Sequence, residues 1–265
     1  MPLADAARFT CWLLALSLLI QCAEYLRLAA GPASHQPWQW RIQRDDLRGS
    51  AAWIRSLFDR LYQRKAHRMH LLVHTGLAAS LIWPGPTAAS TLILLGSQTL
   101  LLIRWRGAFN GGSDFMTLAV MLGVVIGSVA TPLVGESLAW QAGLWAIAIQ
   151  TLTSYFLSGT VKLKYAGWRN GRALPALLGG GLYGPLAADS VLRGKFAATL
   201  ASWAFIVWEA LFPLAMVHPS VITLWCMIGV FFHFLVFWYF SLNRFFWAWI
   251  ATYPALIACA GLLGS

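Results

Sequence analysis

The stretch QTLTSYFLSGTVKLKYAGWRNG, residues 150–171, contains the change from an apolar helix to a polar loop around which this chain is organised. Lys162 follows the apolar half, at the point where a membrane-spanning helix would reach the edge of the hydrocarbon. Only four of the nineteen basic residues are lysines. A lysine removed from water can lose its proton, whereas an arginine in a protein cannot. Lys162 is therefore a candidate base, although lysines at span ends more often extend to the lipid headgroups.

The composition is that of a polytopic membrane protein. Hydrophobic residues make up 59% of the chain and charged residues 11%, and the mean hydropathy is +0.65. The net charge of +10 would suggest nucleic acid in a soluble protein, but here the basic residues lie in a few loops beside apolar segments. We therefore expect one integral membrane domain over residues 1–265, with lipids and not nucleic acid as partners.

Hydrophobic segments predict an all-α polytopic membrane protein, a bundle of about eight transmembrane helices without a separate soluble domain. The first segment is interpreted as a signal anchor. The second and third are short and are joined by the turn Pro84-Gly85-Pro86, so they are expected to be tilted or re-entrant. The predicted spans are residues 9–30, 69–83, 87–103, 115–134, 138–161, 196–217, 221–242 and 245–263.

Two further segments are predicted to lie at the membrane interface. In the first, about residues 48–68, apolar and aromatic residues recur at helical spacing between arginines, which is typical of an amphipathic helix on a membrane surface. The second, residues 174–193, is glycine-rich and only moderately apolar, and is interpreted as an interfacial segment or a lid. The apolar positions of the first segment are Trp53, Ile54, Leu57, Phe58, Leu61 and Tyr62.

The basic residues are distributed very unevenly between the two ends of the predicted spans. The loops after the first, third, fifth and seventh spans carry eighteen of the nineteen, and Arg8 is the remaining one. Because positive residues concentrate in cytoplasmic loops, these loops are expected to be cytoplasmic and both termini outside.

The cysteines and histidines do not predict a metal site. None of the four cysteines belongs to a C-x-x-C pair and all lie in apolar segments, so no disulfide framework or thiolate-bound metal is expected. His67, His70 and His74 share one helix face, a pattern compatible with metal binding but more typical of a polar helix entry. No metal cofactor is predicted.

Three ionisable residues, Asp114, Glu209 and His233, lie in or beside predicted spans, where such residues are costly and usually face the bundle interior. Glu209 follows the basic start of its span by fourteen residues, which places it roughly 20 Å deep. Each is either a hydrogen-bonded structural group or part of a polar chamber in which Lys162, Glu209 and His233 face a ligand.

Four separated motifs resemble the HTTM (horizontally transferred transmembrane) family, which includes the membrane domain of vitamin K-dependent gamma-carboxylases. The resemblance covers roughly residues 53–263 and depends on the four motifs occurring in order. The carboxylase pattern Tyr-Phe-x-x-Gly-x-x-Lys-Leu, followed by Trp and Gly, is matched by Tyr155, Phe156, Gly159, Lys162, Leu163, Trp168 and Gly171. The other matches are Asn110 to Asp114, Glu209 with Pro213, and His233 with the segment up to Pro254.

The resemblance implies that Lys162 deprotonates a reduced quinone, similar to vitamin K or menaquinone, so that oxygen and carbon dioxide can be used to carboxylate a glutamyl side chain. It also implies a bacterial inner membrane. The implied catalytic residues are Lys162, Glu209 and His233, and the implied substrate-binding residues are Asn110, Asp114, Tyr155, Trp168 and Arg169.

Two departures from the carboxylases leave two classes of function open. The chain lacks their large propeptide-binding region, and the charge distribution places Lys162 on the cytoplasmic side, whereas the carboxylase acts on the lumenal face. One class is a membrane enzyme for quinone- or lipid-dependent oxidation or peptide modification. The alternative is a non-enzymatic membrane protein for the maturation, export or immunity of a peptide toxin, as some bacterial HTTM proteins accompany such peptides. Either class allows a peptide substrate or a companion membrane or secreted protein as a partner.

Overall fold

The computed structural model describes residues 1–30, 39–181 and 185–264, and within these ranges the chain is helical and contains no β-strand. Part of the predicted 174–193 interfacial segment lies outside the described residues. The longer helices are α1 (Leu3–Ala30), α4 (Arg64–Ser80), α5 (Ala88–Arg104), α6 (Gly111–Val134), α7 (Glu136–Lys164), α10 (Lys195–Ala210) and α11 (Pro219–Phe240). The shorter helices are α2 (Trp40–Gln43), α3 (Ala52–Leu61), α8 (Ala166–Arg169), α9 (Ala173–Leu178), α12 (Asn243–Ile250) and α13 (Tyr253–Leu263).

Four helical segments of the described chain are long and apolar enough to cross a membrane: α1, α6, α11 and the continuous stretch from α12 through α13. Large apolar side chains on their outer faces are exposed, including Phe231 and Trp238 on α11. In water such surfaces would be unfavourable, whereas in a bilayer they contact lipid. The predicted all-helical membrane class is confirmed at this level.

Prolines divide two of the predicted spans. The span predicted for 196–217 consists of α10 followed by a 3₁₀ turn, Phe212–Val217, which contains Pro213. The span predicted for 245–263 breaks between α12 and α13, where Pro254 begins the second helix. Proline lacks a backbone N–H and clashes with the preceding turn, so it favours a helix end or a first-turn position, as at Pro213 and Pro254, although α6 continues for two residues past Pro132.

The predicted amphipathic segment contains α3, which polar contacts join to α2 and to the 3₁₀ turn Arg44–Leu47. The Trp40 indole N–H donates to the Asp59 carboxylate at 2.8 Å, and Arg44 pairs with the same carboxylate at 2.7 Å. These contacts, with the Trp40 hydrogen bond the largest cause, hold the pKa of Asp59 below its ordinary value. Trp53 and Leu57, on the apolar face, remain 70% and 53% exposed.

Helix α7 occupies the centre of the bundle and packs on α6, α10 and α13. Its apolar face contributes Leu144, Ile147 and Tyr155 to the main hydrophobic core, all nearly inaccessible. Its last turns, which carry Lys162, lie beside α10. The candidate site is therefore built on the packed end of the most central helix.

Candidate functional site

Lys162 and Glu209 form a buried ion pair between α7 and α10. The Lys162 Nζ donates to the Glu209 Oε2 at 2.5 Å and to the Ser158 Oγ, one turn earlier on α7, at 2.6 Å. The two charged side chains are only 16% and 4% exposed. The Trp168 ring lies 5.3 Å from the same ammonium group, within the range of a cation–π contact. Lys162 thus turns into the bundle and does not extend to the headgroups.

Two glycines allow α7 and the following turn to approach α10 this closely. A Cβ on Gly159 would lie 2.4 Å from the Ala210 backbone nitrogen, next to Glu209. A Cβ on Gly171, which has φ +74°, would lie 2.5 Å from the Thr199 backbone nitrogen. Any side chain at Gly159 would push the helices apart, so the glycine three residues before Lys162 sets the distance to Glu209.

A cavity of about 640 Å³ opens beside the ion pair. Helix α7 lines it with polar side chains together with Leu157 and Val161, and α11 and α12 supply aromatic rings. The principal lining residues are Gln150, Ser154, Tyr155, Ser158, Lys162, Trp168, Glu209, Phe232, His233, Phe245 and Trp249.

A second cavity, of about 430 Å³, meets the first at the same ion pair. Leucines of α9 and of residues 185–192, together with aromatic side chains of α10 and α11, give it almost entirely apolar walls. Both cavities are lined by Lys162, Trp168, Glu209 and Phe232. The amine and the carboxylate therefore stand at the junction of a mixed cavity and an apolar one.

Tyr155, His233 and Tyr253 form a buried row of hydrogen bonds along the first cavity. The Tyr155 hydroxyl lies 2.7 Å from the His233 Nε2 and 2.7 Å from the Tyr253 hydroxyl. The His233 ring stacks on Trp249 with centroids 4.8 Å apart, and Phe212 stacks on Tyr155 at 4.0 Å. These contacts fix the orientation of the imidazole.

Asn110 and Asp114 lie behind the wall of the first cavity, which Gly111 and Gly112 line in their place. The Asn110 side chain caps α6 by accepting from the backbone N–H groups of Gly112 and Ser113. Asp114 accepts from the Asn110 backbone N–H at 2.7 Å, and its other oxygen pairs with Arg244 at 3.1 Å. Their observed contacts are those of a helix start tied to α12.

The structure brings together Lys162, Glu209, His233, Tyr155 and Trp168, and it leaves Arg169 on the surface. The Arg169 carbonyl accepts from the Trp203 indole N–H at 3.1 Å, which joins α8 to α10. A substrate-binding role for Asn110, Asp114 and Arg169 stays a prediction.

Several cavity residues were not predicted from the sequence. Gln150, Ser154 and Ser158 recur every four residues and so lie on the same face of α7 as Lys162. Serines four residues apart also suit close helix packing, so the spacing alone does not distinguish a packing face from the polar stripe that lines the cavity. Tyr253 has no comparable local signal, because its partner Tyr155 is 98 residues away.

The histidine cluster of α4 lies apart from this site. The His70 Nε2 and the His74 Nδ1 are each 2.8 Å from the Ser97 Oγ of α5. Across the described part of the chain, no group of three or more His, Cys, Asp or Glu residues is arranged to hold a metal ion.

Comparison with known proteins finds no family model, no curated protein and no solved structure that matches this chain. Its function is therefore inferred from the chemistry of the two cavities and the residues between them. An amine and a carboxylate in hydrogen-bond contact can exchange a proton. Surroundings of low polarity reduce the free-energy difference between the ionised and the neutral form of the pair.

Proposed function

We propose that this protein is an integral membrane enzyme of HTTM-like type that binds a reduced quinone or a similar apolar, oxygen-bearing lipid and uses Lys162 to remove a proton from it. The observation that carries the proposal is the position of the Lys162–Glu209 pair at the junction of the two cavities. A base placed there reaches a polar group of a ligand whose apolar part extends away from it.

The lining of both cavities fits such a molecule. Trp168, Phe232, Phe245 and Trp249 offer aromatic surfaces for a planar ring in the first cavity. The leucine-rich second cavity suits an isoprenoid or acyl chain, since it contains almost no polar surface. A bound quinol would supply two reducing electrons and an acidic hydroxyl group.

The ion pair provides a simple route for one proton. The Lys162 ammonium first passes a proton to the Glu209 carboxylate across their 2.5 Å contact, which breaks an N–H bond and forms an O–H bond. The neutral amine then accepts a proton from a ligand hydroxyl in the cavity, and Ser158 holds the Nζ in place throughout. Glu209 keeps the first proton, so the base is neutral when it acts.

We also propose the finer membrane arrangement. Each of the eight hydrophobic segments predicted from the sequence coincides with a helix or with two helices in succession. The exposed Trp53 and Leu57 of α3 suit insertion among the headgroups. With the basic loops cytoplasmic, in a bacterial inner membrane, the base would lie towards the cytoplasmic side and both termini outside.

The ion pair itself favours a second candidate. Lys162 and Glu209 tie α7 to α10, and a tie of this kind needs no substrate. A non-enzymatic membrane protein that binds, exports or gives immunity to a peptide would then use the cavities for lipid or peptide only. The two candidates differ in whether a proton must leave Lys162.

Substitution of Lys162 by arginine separates them, because arginine keeps the charge and the tie to Glu209 but cannot act as a base. We expect the membranes of cells that express the wild type to contain a modified quinone or lipid. In Lys162→Arg its amount should fall by about a hundredfold or more, measured by mass spectrometry of lipid extracts. Lys164→Arg is the matched control, since Lys164 is exposed two residues away, and it should leave the product unchanged.

A product that persists at the wild-type level in Lys162→Arg would rule out the base. The folding of both variants is checked by thermal unfolding of the purified protein in micelles. Identical lipid and peptide profiles for wild type and Lys162→Ala would favour the peptide-binding candidate.

A further inference from the structure

One ring nitrogen of His233, a residue that lines the first cavity, is buried and has no protein partner among the described residues. The imidazole is 1% exposed, its Nε2 contacts the Tyr155 hydroxyl at 2.7 Å, and its Nδ1 has no hydrogen-bond partner among the described residues. His233 also lines the cavity that holds Lys162. A buried polar atom of this kind normally has a partner, so a ligand or a water in the cavity is expected to supply it.

The hydrogen bonds of the row determine which role Nδ1 plays. Each tyrosine hydroxyl has one hydrogen to donate, and a neutral imidazole has one N–H and one acceptor nitrogen. If Tyr253 donates to Tyr155 and Tyr155 donates to the His233 Nε2, both hydroxyl hydrogens are used and Nδ1 carries the ring proton. If the direction is reversed, the Tyr253 hydrogen has no acceptor, because Tyr155 is its one hydrogen-bond partner in the described chain.

The second direction is unfavourable because Tyr253 is only 4% exposed, so its unused hydroxyl hydrogen would be buried. A doubly protonated imidazole would also carry a proton on Nδ1. In a third arrangement Tyr155 accepts from both Tyr253 and the His233 Nε2–H, and its own hydrogen, on a side chain only 2% exposed, has no acceptor among the described residues. Every arrangement of a neutral ring that makes Nδ1 an acceptor therefore leaves one buried hydroxyl hydrogen unused.

We infer that the His233 Nδ1–H is a hydrogen-bond donor to an oxygen of the ligand, and that Tyr155 and Tyr253 are positioning residues that hold the ring in this tautomer. The class of ligand is an apolar planar molecule with a carbonyl or phenolate oxygen. This inference depends on the proposed function for the identity of the ligand, whereas the tautomer depends on the hydrogen-bond row alone.

The position of His233 gives the cavity two different polar groups. Tyr155 and Lys162 are seven residues apart on α7, which places them on the same helix face about 10 Å apart along the axis. A ligand oxygen that meets the base and a second oxygen that meets the His233 donor would fix the ring in one orientation. The stacking of Trp249 on His233 prevents the imidazole from turning away.

The first test is the ring tautomer in the ligand-free protein. The full chain, labelled with ¹⁵N-histidine and reconstituted in nanodiscs, is studied by NMR, and the His233 signals are those lost in His233→Gln. We expect a proton on Nδ1 in the wild type and a shift towards the Nε2–H form in Tyr155→Phe. A wild-type ring protonated on Nε2 alone would overturn the inference, whatever the activity of Lys162→Arg.

The second test is binding of a matched pair of probes, 2-methyl-1,4-naphthoquinone and 2-methylnaphthalene, which differ by the two oxygens. We expect Tyr155→Phe and Tyr253→Phe to weaken binding of the quinone about fivefold, the loss of roughly one neutral hydrogen bond, and to leave the hydrocarbon unchanged. Tyr62→Phe is the control, since it removes a tyrosine hydroxyl that bonds to the Leu100 carbonyl away from the cavity.

The outcomes separate the inference from the proposed function. An Nδ1 signal that moves with the quinone but not with the hydrocarbon supports the donor, even if Lys162→Arg keeps the product and the base is thereby excluded. If Tyr155→Phe weakened the binding of both probes equally, the effect would be one of packing, and the inference that Nδ1–H donates to the ligand would be wrong. Misfolding of that variant would leave Tyr253→Phe and the wild-type tautomer to decide.

Discussion

Two buried ion pairs join distant helices of this bundle, and they differ in what surrounds them. Asp114 on α6 pairs with Arg244 on α12 at 3.1 Å, and Lys162 on α7 pairs with Glu209 on α10 at 2.5 Å. Both combine an intramembrane or near-membrane carboxylate with a cation, and sequence reasoning placed Asp114 and Glu209 in the same candidate site. The second pair lines both of the cavities described above, whereas the first pair lines neither of them.

The first pair is enclosed by further hydrogen bonds. Asp114 also accepts from Gln21 and from the Asn110 backbone N–H, and Arg244 also donates to the Tyr25 hydroxyl and to the Ala108 carbonyl. Nearly every donor and acceptor is thus used within the protein. Such a pair holds α1, α6 and α12 together and has little capacity left for a ligand.

The second pair has few protein partners beyond its own contact. Among the described residues, Ser158 and the Trp168 ring contact the Lys162 ammonium group, and both cavities border the pair. Burial of an ion pair therefore does not by itself indicate a function. A ligand can reach the charged groups of a buried pair only where a cavity adjoins them.

The largest expected effect is on the enclosed pair. Asp114→Asn removes the more buried of the two carboxylates that pair with Arg244 and leaves only Glu24, at 3.4 Å and 39% exposed, as its ion-pair partner among the described residues. It should lower the free energy of unfolding by about 3 kcal/mol, measured by denaturant titration in micelles. Asp45→Asn, at an exposed pair with Arg48, should have almost no effect. If Asp114→Asn lowered the free energy of unfolding by less than about 1 kcal/mol, the Asp114–Arg244 network would contribute no more to stability than the Lys162–Glu209 pair.

An intermediate effect is expected at the helix crossing. Gly159→Ala places a methyl group against the Ala210 backbone and should cost about 2 kcal/mol, with loss of product because Lys162 and Glu209 separate. Gly96→Ala on α5 is the control, since nothing lies within 4 Å of its added Cβ. Equal stability of the two variants would mean that α7 and α10 can move apart without loss.

The smallest effect on stability is expected at the pair beside the cavities. Glu209→Gln should lower the unfolding free energy by only about 1 kcal/mol, because the Lys162 ammonium keeps Ser158 and is 16% exposed. Product formation should nevertheless fall by at least tenfold, since the amide cannot take the proton from Lys162. A stability loss equal to that of Asp114→Asn, with product unchanged, would make this pair a second structural tie.

Much of the helical layout was readable from local pattern. Hydrophobic runs identified the longer helices, and the motif that contains Tyr155, Gly159 and Lys162 drew attention to the end of α7. The 3₁₀ turn that contains Pro213 and the turn between α12 and α13 were not predicted, although both prolines are visible in the sequence, and residues 243–263 still form one candidate span. Because a proline perturbs only the helix turns next to it, both irregularities could have been predicted from the sequence.

The partners across the bundle could not be derived in the same way. Lys162 and Glu209 are 47 residues apart, and Arg244 reaches Asp114 across 130 residues. The identity of a residue shows that it needs a partner when buried, but several cations and carboxylates were available to each. Which one it meets depends on how the helices cross.

Composition and hydrophobic runs were thus enough to predict the helical membrane class and the approximate position of the central helix, because both follow from local apolar content. The predicted span ended at residue 161, whereas α7 continues to Lys164. The pairing of Lys162 with Glu209, the pairing of Asp114 with Arg244 and the hydrogen bond from Tyr253 to the Tyr155–His233 pair are visible only in the tertiary structure. Close crossing at Gly159 and the packing of distant helices set those distances, and the space left between them became the two cavities.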